Sequence, residues 1–287
     1  MRRGGASVLV LLCVSLGGCF WGEAERSASV FHRFHPPGTN LGPDGVLLDI
    51  VLIERPLGDD FLNSELWEST DSQVVGLEKQ ALLEENGFRV GQIVGMNPAK
   101  LQDLLVSERS LVPVRQQILP AGTLTSVPLG PNLPQCNYRI KSEGGPRDVI
   151  LDQAQCAFTI VPSLTNDGRT RLKFTPQVLH GSEMPDIQVA RDRTGMTLER
   201  KRPAKTYDAL SWEVTLAPNQ YLIVGTRFVE DASENEPQSL GNQCFLVDTG
   251  RTFTQRVLVI RTTRGSASDL NKMEGGQPVS PAAHCLY

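Results

Sequence analysis

Apolar and polar positions divide the sequence into a short stretch of mixed helix and strand patterns and a longer stretch of strand patterns. Residues 46–54 form an almost continuous apolar, β-branched run, which predicts a strand buried on both faces. A polar turn comes next. Apolar residues at helical spacing then predict a helix that begins near Asn63 or Asp71. We expect this helix to end at Asn86-Gly87, because both residues tolerate the left-handed conformation of a C-cap.

A second strand and a short second helix complete this first stretch. Residues 88–94 alternate apolar and polar positions and predict a strand. Asn97 and Pro98 suit the N-cap and the first position of a short helix after that strand. The order strand, helix, strand, helix predicts a small right-handed βαβα module at residues 45–110.

Strand patterns replace helical ones from residue 111 onward. Short segments with period-two or β-branched character predict strands at residues 136–141, 149–151, 157–161, 170–178, 187–189, 211–216, 221–228, 243–247 and 256–262. Asp167-Gly168 lies between two of them and is the sharpest turn signal in the chain, so we expect a hairpin with these residues at its tip. The pattern as a whole predicts the α+β class, with a mostly antiparallel β domain at residues 111–264.

The N-terminus has the pattern of an export signal. Arg2 and Arg3 precede an apolar run at residues 6–16, which is shorter than the roughly 20 apolar residues that a transmembrane helix needs. The run ends in two glycines before Cys19, and this ending resembles the bacterial lipobox, in which the cysteine receives a diacylglycerol. We therefore expect lipidation of Cys19, with plain secretion or an uncleaved anchor as the alternatives.

The two ends of the chain are assigned on the same grounds. Residues 1–18 are expected to be a lipoprotein signal peptide that is removed. Residues 19–44 contain Ser, Gly, Pro and charged residues with little periodicity, which indicates a tether. Residues 265–287 are rich in Gly, Ser, Pro and Ala, which is typical of a flexible tail.

The charge balance bears on the partners of the exported chain. The formal net charge is −4, and loss of residues 1–18 would remove two arginines and bring it to −6. A negative body repels phosphate backbones, so we expect no nucleic-acid partner. The expected contact with a membrane is through the N-terminal lipid.

Four cysteines follow the tether, namely Cys136, Cys156, Cys244 and Cys285. An even number in an oxidising compartment predicts up to two disulfides, with three pairings that the sequence cannot separate. A bond between Cys136 and Cys156 is the first expectation, because the two flank a predicted β-hairpin. No Cys-x-x-Cys occurs and the four histidines are scattered, so we expect no metal site.

No motif for catalysis or cofactor binding stands out. Gly-x-Ser-x-Gly does not occur, and the histidines have no neighbouring Ser or Cys nucleophile motif. The glycines at 144–145 lack the strand-to-helix context and the lysine of a phosphate loop. We therefore expect no enzyme, with no catalytic residues and no cofactor. Trp67 and Trp212 are interpreted as core residues rather than as ligand platforms.

Three segments of the β-rich part resemble the C-terminal module of bacterial secretins: residues 157–178, 210–228 and 256–264. The residues that carry the resemblance are Ile160, Pro162, Leu164, Asp167, Gly168, Leu172, Phe174 and Pro176, then Pro218, Asn219, Gln220, Leu222, Val224 and Gly225. The chain has Gly225-Thr226 where that family has paired glycines, which argues against a gated pore. The overall layout also resembles uncharacterised lipoproteins of planctomycete-type bacteria.

These observations lead to a first functional hypothesis and an alternative. The resemblance implies a non-enzymatic lipoprotein of the cell envelope, facing the periplasm, whose secretin-like half-module assembles with another envelope protein or with copies of itself. The alternative is a periplasmic protein that binds a small ligand or a glycan in a pocket between its two parts. An envelope hydrolase is the third interpretation.

Overall fold

The structure, a computed structural model, describes residues 45–93, 95–107, 111–189, 196–228, 237–248 and 252–263. Side chains are described for these residues except at 111–118, 187–189, 196–199 and 263. The expected signal peptide at 1–18, the tether at 19–44 with Cys19, and the tail at 265–287 with Cys285 lie outside the described residues.

The first sheet joins the start of the described chain to its end. Its strands pair in the order β2 (Thr70–Asp71), β3 (Arg89–Ile93), β13 (Tyr221–Gly225), β16 (Phe253–Thr263), β1 (Gly45–Pro56) and β4 (Leu111–Pro120), and β15 (Leu246–Asp248) also pairs with β16. Every pair in this sheet is antiparallel. The ten registered pairs between β1 and β16, from Leu47↔Thr263 to Pro56↔Thr254, form its centre.

The second sheet is built from the middle of the chain. Its strands pair in the order β11 (Ala204–Thr206), β8 (Thr170–Leu179), β7 (Gly145–Leu164), β6 (Leu133–Ser142) and β14 (Gln238–Ser239), while β12 (Trp212–Leu216) pairs with β8 and β5 (Thr125–Pro128) with β7. Only the short β14–β6 pair is parallel among the pairs described in this sheet. A separate hairpin contains β9 (Met184–Val189) and β10 (Met196–Lys201).

The described helices are short. They are a π-helical turn (Phe61–Glu65) that runs into α1 (Leu66–Glu68), then α2 (Leu77–Glu85), α3 (Ala99–Val106) and α4 (Leu240–Phe245), with 3₁₀ turns at Ser72–Val74 and Asp208–Leu210. The predicted end of α2 is confirmed, since Gly87 follows it with φ 79°. The helix expected from residue 63 or 71 is interrupted. The Asp71 carboxylate accepts a hydrogen bond from the Gln73 backbone amide at 2.8 Å, which closes a separate turn before α2.

Two apolar cores lie on opposite faces of the first sheet. Val46, Leu48, Ile50 and Leu52 of β1 point into a core shared with the second sheet. Alternate residues such as Val51 and Ile53, together with Val257 and Val259 of β16, pack against the π-helical turn, α1 and α3. The prediction that residues 46–54 form a strand buried on both faces is therefore confirmed. In the described part of the chain, the π-helical turn, α1 and α3 cover one face of the first sheet and the second sheet covers the other. Helices α2 and α4 pack into the core that the two sheets share, through residues such as Leu83 and Phe245.

The α+β class with a mostly antiparallel, β-rich body is confirmed. The separate βαβα module at 45–110 is wrong, because β1 and β3 are not neighbours: β16 and β13 lie between them. Residues 111–264 likewise form no unit of their own, since β13 and β16 complete the sheet that begins with β1. A buried apolar strand has the same sequence pattern whether its neighbours are parallel or antiparallel. Here the partner of β1 is the antiparallel strand β16, which is similarly apolar.

The hairpin predicted around Asp167-Gly168 is confirmed. It joins β7 to β8, with Leu164 opposite Thr170 and Gly168 at φ 88°. The Arg169 side chain donates to the Asp167 carboxylate at 2.7 Å, and this hydrogen bond is the main reason that the pKa of Asp167 lies below its usual range. The turn therefore carries a local ion pair as well as the glycine that its backbone requires.

Candidate functional site

An open cleft of about 520 Å³ lies where one end of the first sheet meets the second sheet. Pockets of roughly 300–1,000 Å³ are the size that holds small organic ligands. The cleft is lined by Leu57, Gly130, Pro131, Leu133, Asn137, Cys156, Phe228, Pro237, Gln238, Gln243, Leu246, Val247, Asp248, Phe253 and Thr254. Its walls therefore come from β15, the start of β16 and the α4 region on one side, and from the β6–β7 region on the other.

The wall before β6 is held by hydrogen bonds to a loop at Leu129-Gly130. The Leu129 amide donates to the Cys156 carbonyl at 2.9 Å, and the Gln155 side chain donates to the Gly130 carbonyl at the same distance. The buried Arg256 guanidinium donates to the Leu129 carbonyl at 3.0 Å. This loop can therefore keep its shape without a ligand.

The opposite wall depends on one asparagine side chain. The Asn63 amide nitrogen donates to the Phe228 carbonyl at 3.0 Å, and its amide oxygen accepts from the Phe228 backbone N–H at 2.9 Å. The Leu57 amide donates to the Phe253 carbonyl at 3.1 Å. Phe228 and Leu57 are thereby fixed at the cleft by bonds to their backbones, which leaves their side chains to form the surface.

The surface of the cleft is mainly apolar, with polar groups at a few points. Phe253 is a large apolar side chain that is 62% exposed, and it adds apolar surface to the cleft. Amide side chains contribute at Asn137, Gln238 and Gln243, and Asp248 supplies a carboxylate. The arrangement suits a largely apolar molecule with one or two hydrogen-bonding groups.

Three cysteines meet beneath this cleft. Cys136, Cys156 and Cys244 are all buried and all free thiols. They come from β6, β7 and α4 and belong to one apolar core. The Cys156 sulfur also lies 3.7 Å from the Gln243 carbonyl oxygen, to which it donates. The expected disulfide between Cys136 and Cys156 is not formed in the structure, where both are free thiols.

The environment of Cys136 and Cys156 favours the protonated forms of their thiols. The hydrogen bond to Cys156, followed by burial, raises the pKa of Cys136. For Cys156 the bond from Cys136 acts in the opposite direction, but the bond to Cys244 and burial outweigh it, so the pKa of Cys156 lies well above its ordinary value. These hydrogen bonds and burial therefore favour the protonated thiols of Cys136 and Cys156.

A tyrosine pair adjoins the thiols and was not anticipated from the sequence. The hydroxyls of Tyr138 and Tyr207 hydrogen-bond each other, and their rings meet edge to face. Burial is the main cause that raises the pKa of Tyr207 to about 12. The signal available in the sequence was Cys136-x-Tyr138, since residues two apart on a strand share a face.

Other residues considered in the sequence take structural positions. Trp67 and Trp212 are core residues, 8% and 3% exposed. Within the described ranges, no group of three or more His, Cys, Asp or Glu side chains is arranged to hold a metal ion. No helix in the described part of the chain is both long enough and apolar enough to cross a bilayer.

Comparison with known proteins gives weak structural similarity and no family. No protein-family model matches the chain, and no curated protein matches it. Among solved structures, the InvG secretin domain β-barrel from the Salmonella SPI-1 injectisome NC-base is similar with a TM-score of 0.18 and 10% identity, over 82% of this chain and 68% of that chain. A TM-score this low carries no argument about function, so the function has to be inferred from the geometry of this chain alone.

Proposed function

We propose that this chain is a non-enzymatic binding protein of the cell envelope whose cleft takes a small, largely apolar molecule. The observation that carries the proposal is the cleft of about 520 Å³ between the two sheets, with an exposed Phe253 on its surface. Leu246, Val247 and Leu133 extend the apolar wall, whereas glycan sites present mainly polar groups. A largely apolar ligand is therefore favoured over a glycan.

A fluorescent probe tests the cleft directly. We expect N-phenyl-1-naphthylamine to bind the full-length protein, and the larger side chain in Leu246→Trp to weaken its affinity at least about tenfold, which corresponds to roughly 1.4 kcal/mol. The measurement is a fluorescence titration. The matched control is Ile150→Trp, because Ile150 is also apolar, is 62% exposed and lies outside the cleft lining. Equal affinities in the two variants would contradict the proposal.

The envelope location in this proposal rests on the N-terminus. Acyl chains contribute about 0.8 kcal/mol per buried methylene, so a multiply acylated Cys19 would hold the body at a bilayer without a spanning helix. A tether of the composition found at residues 19–44 would let the cleft work close to that surface. Lipid-derived molecules are then within reach of an apolar site.

A second candidate function is assembly through the edge of the first sheet. Among the strands that the structure describes, β4 pairs with β1 alone, over eight registered residue pairs from Gly45↔Pro120 to Ile53↔Leu111. The outer edge of a ten-residue strand presents backbone donors and acceptors that a further strand can use. The partner we propose is a second copy of this chain, paired antiparallel through β4.

Mass photometry of the full-length protein in detergent tests this assembly. We expect dimers that dissociate in Gln117→Lys, because a lysine on an edge strand opposes pairing with a further strand. Thr206→Lys is the matched control, since it places the same charge on β11, the edge strand of the other sheet. A monomer at every concentration, or equal loss of dimer in both variants, would refute assembly through β4.

A further inference from the structure

A separate pocket, called here the arginine pocket, lies beside the start of β3 and the end of β13, next to α4. Its volume is about 430 Å³, and it shares no lining residue with the cleft. The lining residues are Glu84, Glu85, Gly87, Phe88, Arg89, Thr226, Arg227, Ser239 and Asn242. Two guanidinium groups therefore share one small cavity.

Strand pairing brings these two arginines together. Arg89 lies opposite Gly225 in the register of β3 with β13, and Arg227 follows Gly225 by two residues. Burial and then the charge of Arg227 lower the pKa of Arg89, and the charge of Glu84 has a smaller, opposite effect. The two cations therefore lie close enough to repel each other, and an anion between them would relieve that repulsion.

Arg89 is held in place by the protein itself. Its Nη1 donates to the Asn63 carbonyl at 3.2 Å, and its guanidinium carbon lies 4.3 Å from the centre of the Trp67 ring. A guanidinium has five N–H donors, of which this hydrogen bond uses one. Among the ion pairs between described residues, none includes Arg89 or Arg227. Both side chains therefore retain donors for a ligand.

The other polar groups of the arginine pocket leave room for an anion. The Glu84 carboxylate accepts a hydrogen bond at 2.9 Å from Gln80, which lies one turn earlier on α2. The Thr226 hydroxyl donates to the amide oxygen of Asn242. This bond fixes the Asn242 side chain and leaves its amide nitrogen as a further donor at the pocket.

We propose that the arginine pocket binds a small phosphate monoester through Arg89, Arg227 and Asn242. Such a group carries a charge of about −1.5 to −2 at neutral pH and has three strong acceptor oxygens, so it can accept from both guanidiniums and the amide together. A carboxylate has a single charge and balances only one of the two arginines. This inference does not depend on the ligand of the cleft or on assembly through β4.

Isothermal titration calorimetry of the full-length protein in detergent, with phenyl phosphate as the ligand, tests the proposal. Phenyl sulfate has the same ring and a tetrahedral group with a single charge, and benzoate offers a carboxylate. We expect phenyl phosphate to bind at least about tenfold more tightly than either, because it alone neutralises both guanidiniums. Absence of phenyl phosphate binding, or equal affinity for benzoate or phenyl sulfate, would overturn the proposal.

Substitutions locate the binding. Arg227→Met should weaken the affinity for phenyl phosphate at least about tenfold, and the fold should be kept because Arg227 is exposed. Arg171→Met removes the same charge from an exposed position on β8 outside the arginine pocket and should leave the affinity unchanged. Leu246→Trp, which obstructs the cleft, should also leave it unchanged, so this test and that of the cleft fail independently. Equal weakening in Arg227→Met and Arg171→Met, or weakening in Leu246→Trp alone, would refute binding in the arginine pocket.

Discussion

Arg261→Met is expected to destabilise the folded protein by about 3–5 kcal/mol, because it leaves the Asp49 carboxylate buried without its cation. The two residues lie directly opposite each other on β1 and β16, and their side chains are 1% and 8% exposed. Two guanidinium nitrogens of Arg261 donate to one carboxylate oxygen of Asp49, at 3.0 and 2.7 Å. Urea denaturation followed by circular dichroism measures the loss.

Two further variants separate this effect from a general loss of charge. Lys100→Met removes the cation of an exposed pair with Glu65, whose side chains are 48% and 54% exposed, and should cost no more than about 1 kcal/mol. Asp49→Leu combined with Arg261→Met should recover most of the stability, because no buried charge is left unpaired. A double variant as unstable as the single one would contradict this explanation.

Cys19→Ser is expected to move the protein from the membrane fraction to the soluble fraction. Serine cannot form the thioether to a diacylglycerol, and at about 0.8 kcal/mol per methylene the loss of the acyl chains removes most of the binding free energy. The measurements are membrane fractionation and labelling with radioactive palmitate. Labelled wild-type protein and unlabelled, soluble variant are the expected results.

The control for this substitution is another cysteine of the same segment. Cys13 lies within the apolar run of the expected signal peptide, and Cys13→Ser should leave both labelling and fractionation unchanged. If the wild-type chain takes up no palmitate, or if Cys19→Ser stays with the membrane, the lipid anchor and the envelope location that depends on it are refuted.

Local features of the fold were predictable because their signals are local. Asn86-Gly87 ends α2 because a left-handed residue after a helix is favourable for Gly whatever surrounds it. The hairpin at Asp167-Gly168 follows from turn chemistry in the same way. The burial of both faces of β1 is also a property of its own composition.

Long-range strand pairing was not predictable, because the alternation of apolar and polar residues along one strand does not identify the strand with which it pairs. The βαβα interpretation was wrong because β1 lies between β16 and β4 rather than beside β3. These neighbours depend on the packing of the whole sheet. One signal was available: Asp49 and Arg261 each follow or interrupt an apolar run of their strand, and a buried charge needs a partner of opposite sign. Reading them as a pair would have placed β1 beside β16.

The sequence identified some residues of the candidate site but not the site itself. Cys136, Cys156 and Cys244 were identified as a set, although their contact as free thiols, rather than as a bonded pair, depends on how α4 packs against β6 and β7. The cleft itself was not located, because its walls come from residues 57, 133, 228 and 246, which only the tertiary fold brings together.

The pairing of β1 with β16 also sets the order in which this chain can fold as it is made. Leu47 lies opposite Thr263, so more than 200 residues must follow β1 before its central neighbour exists. At about 5–20 residues per second, that interval is roughly 10–40 s of synthesis. β4 can cover one edge of β1 early, but the other stays open until the last strand arrives. Until β16 is available, one edge of the apolar β1 therefore has unpaired backbone groups that another chain could pair with.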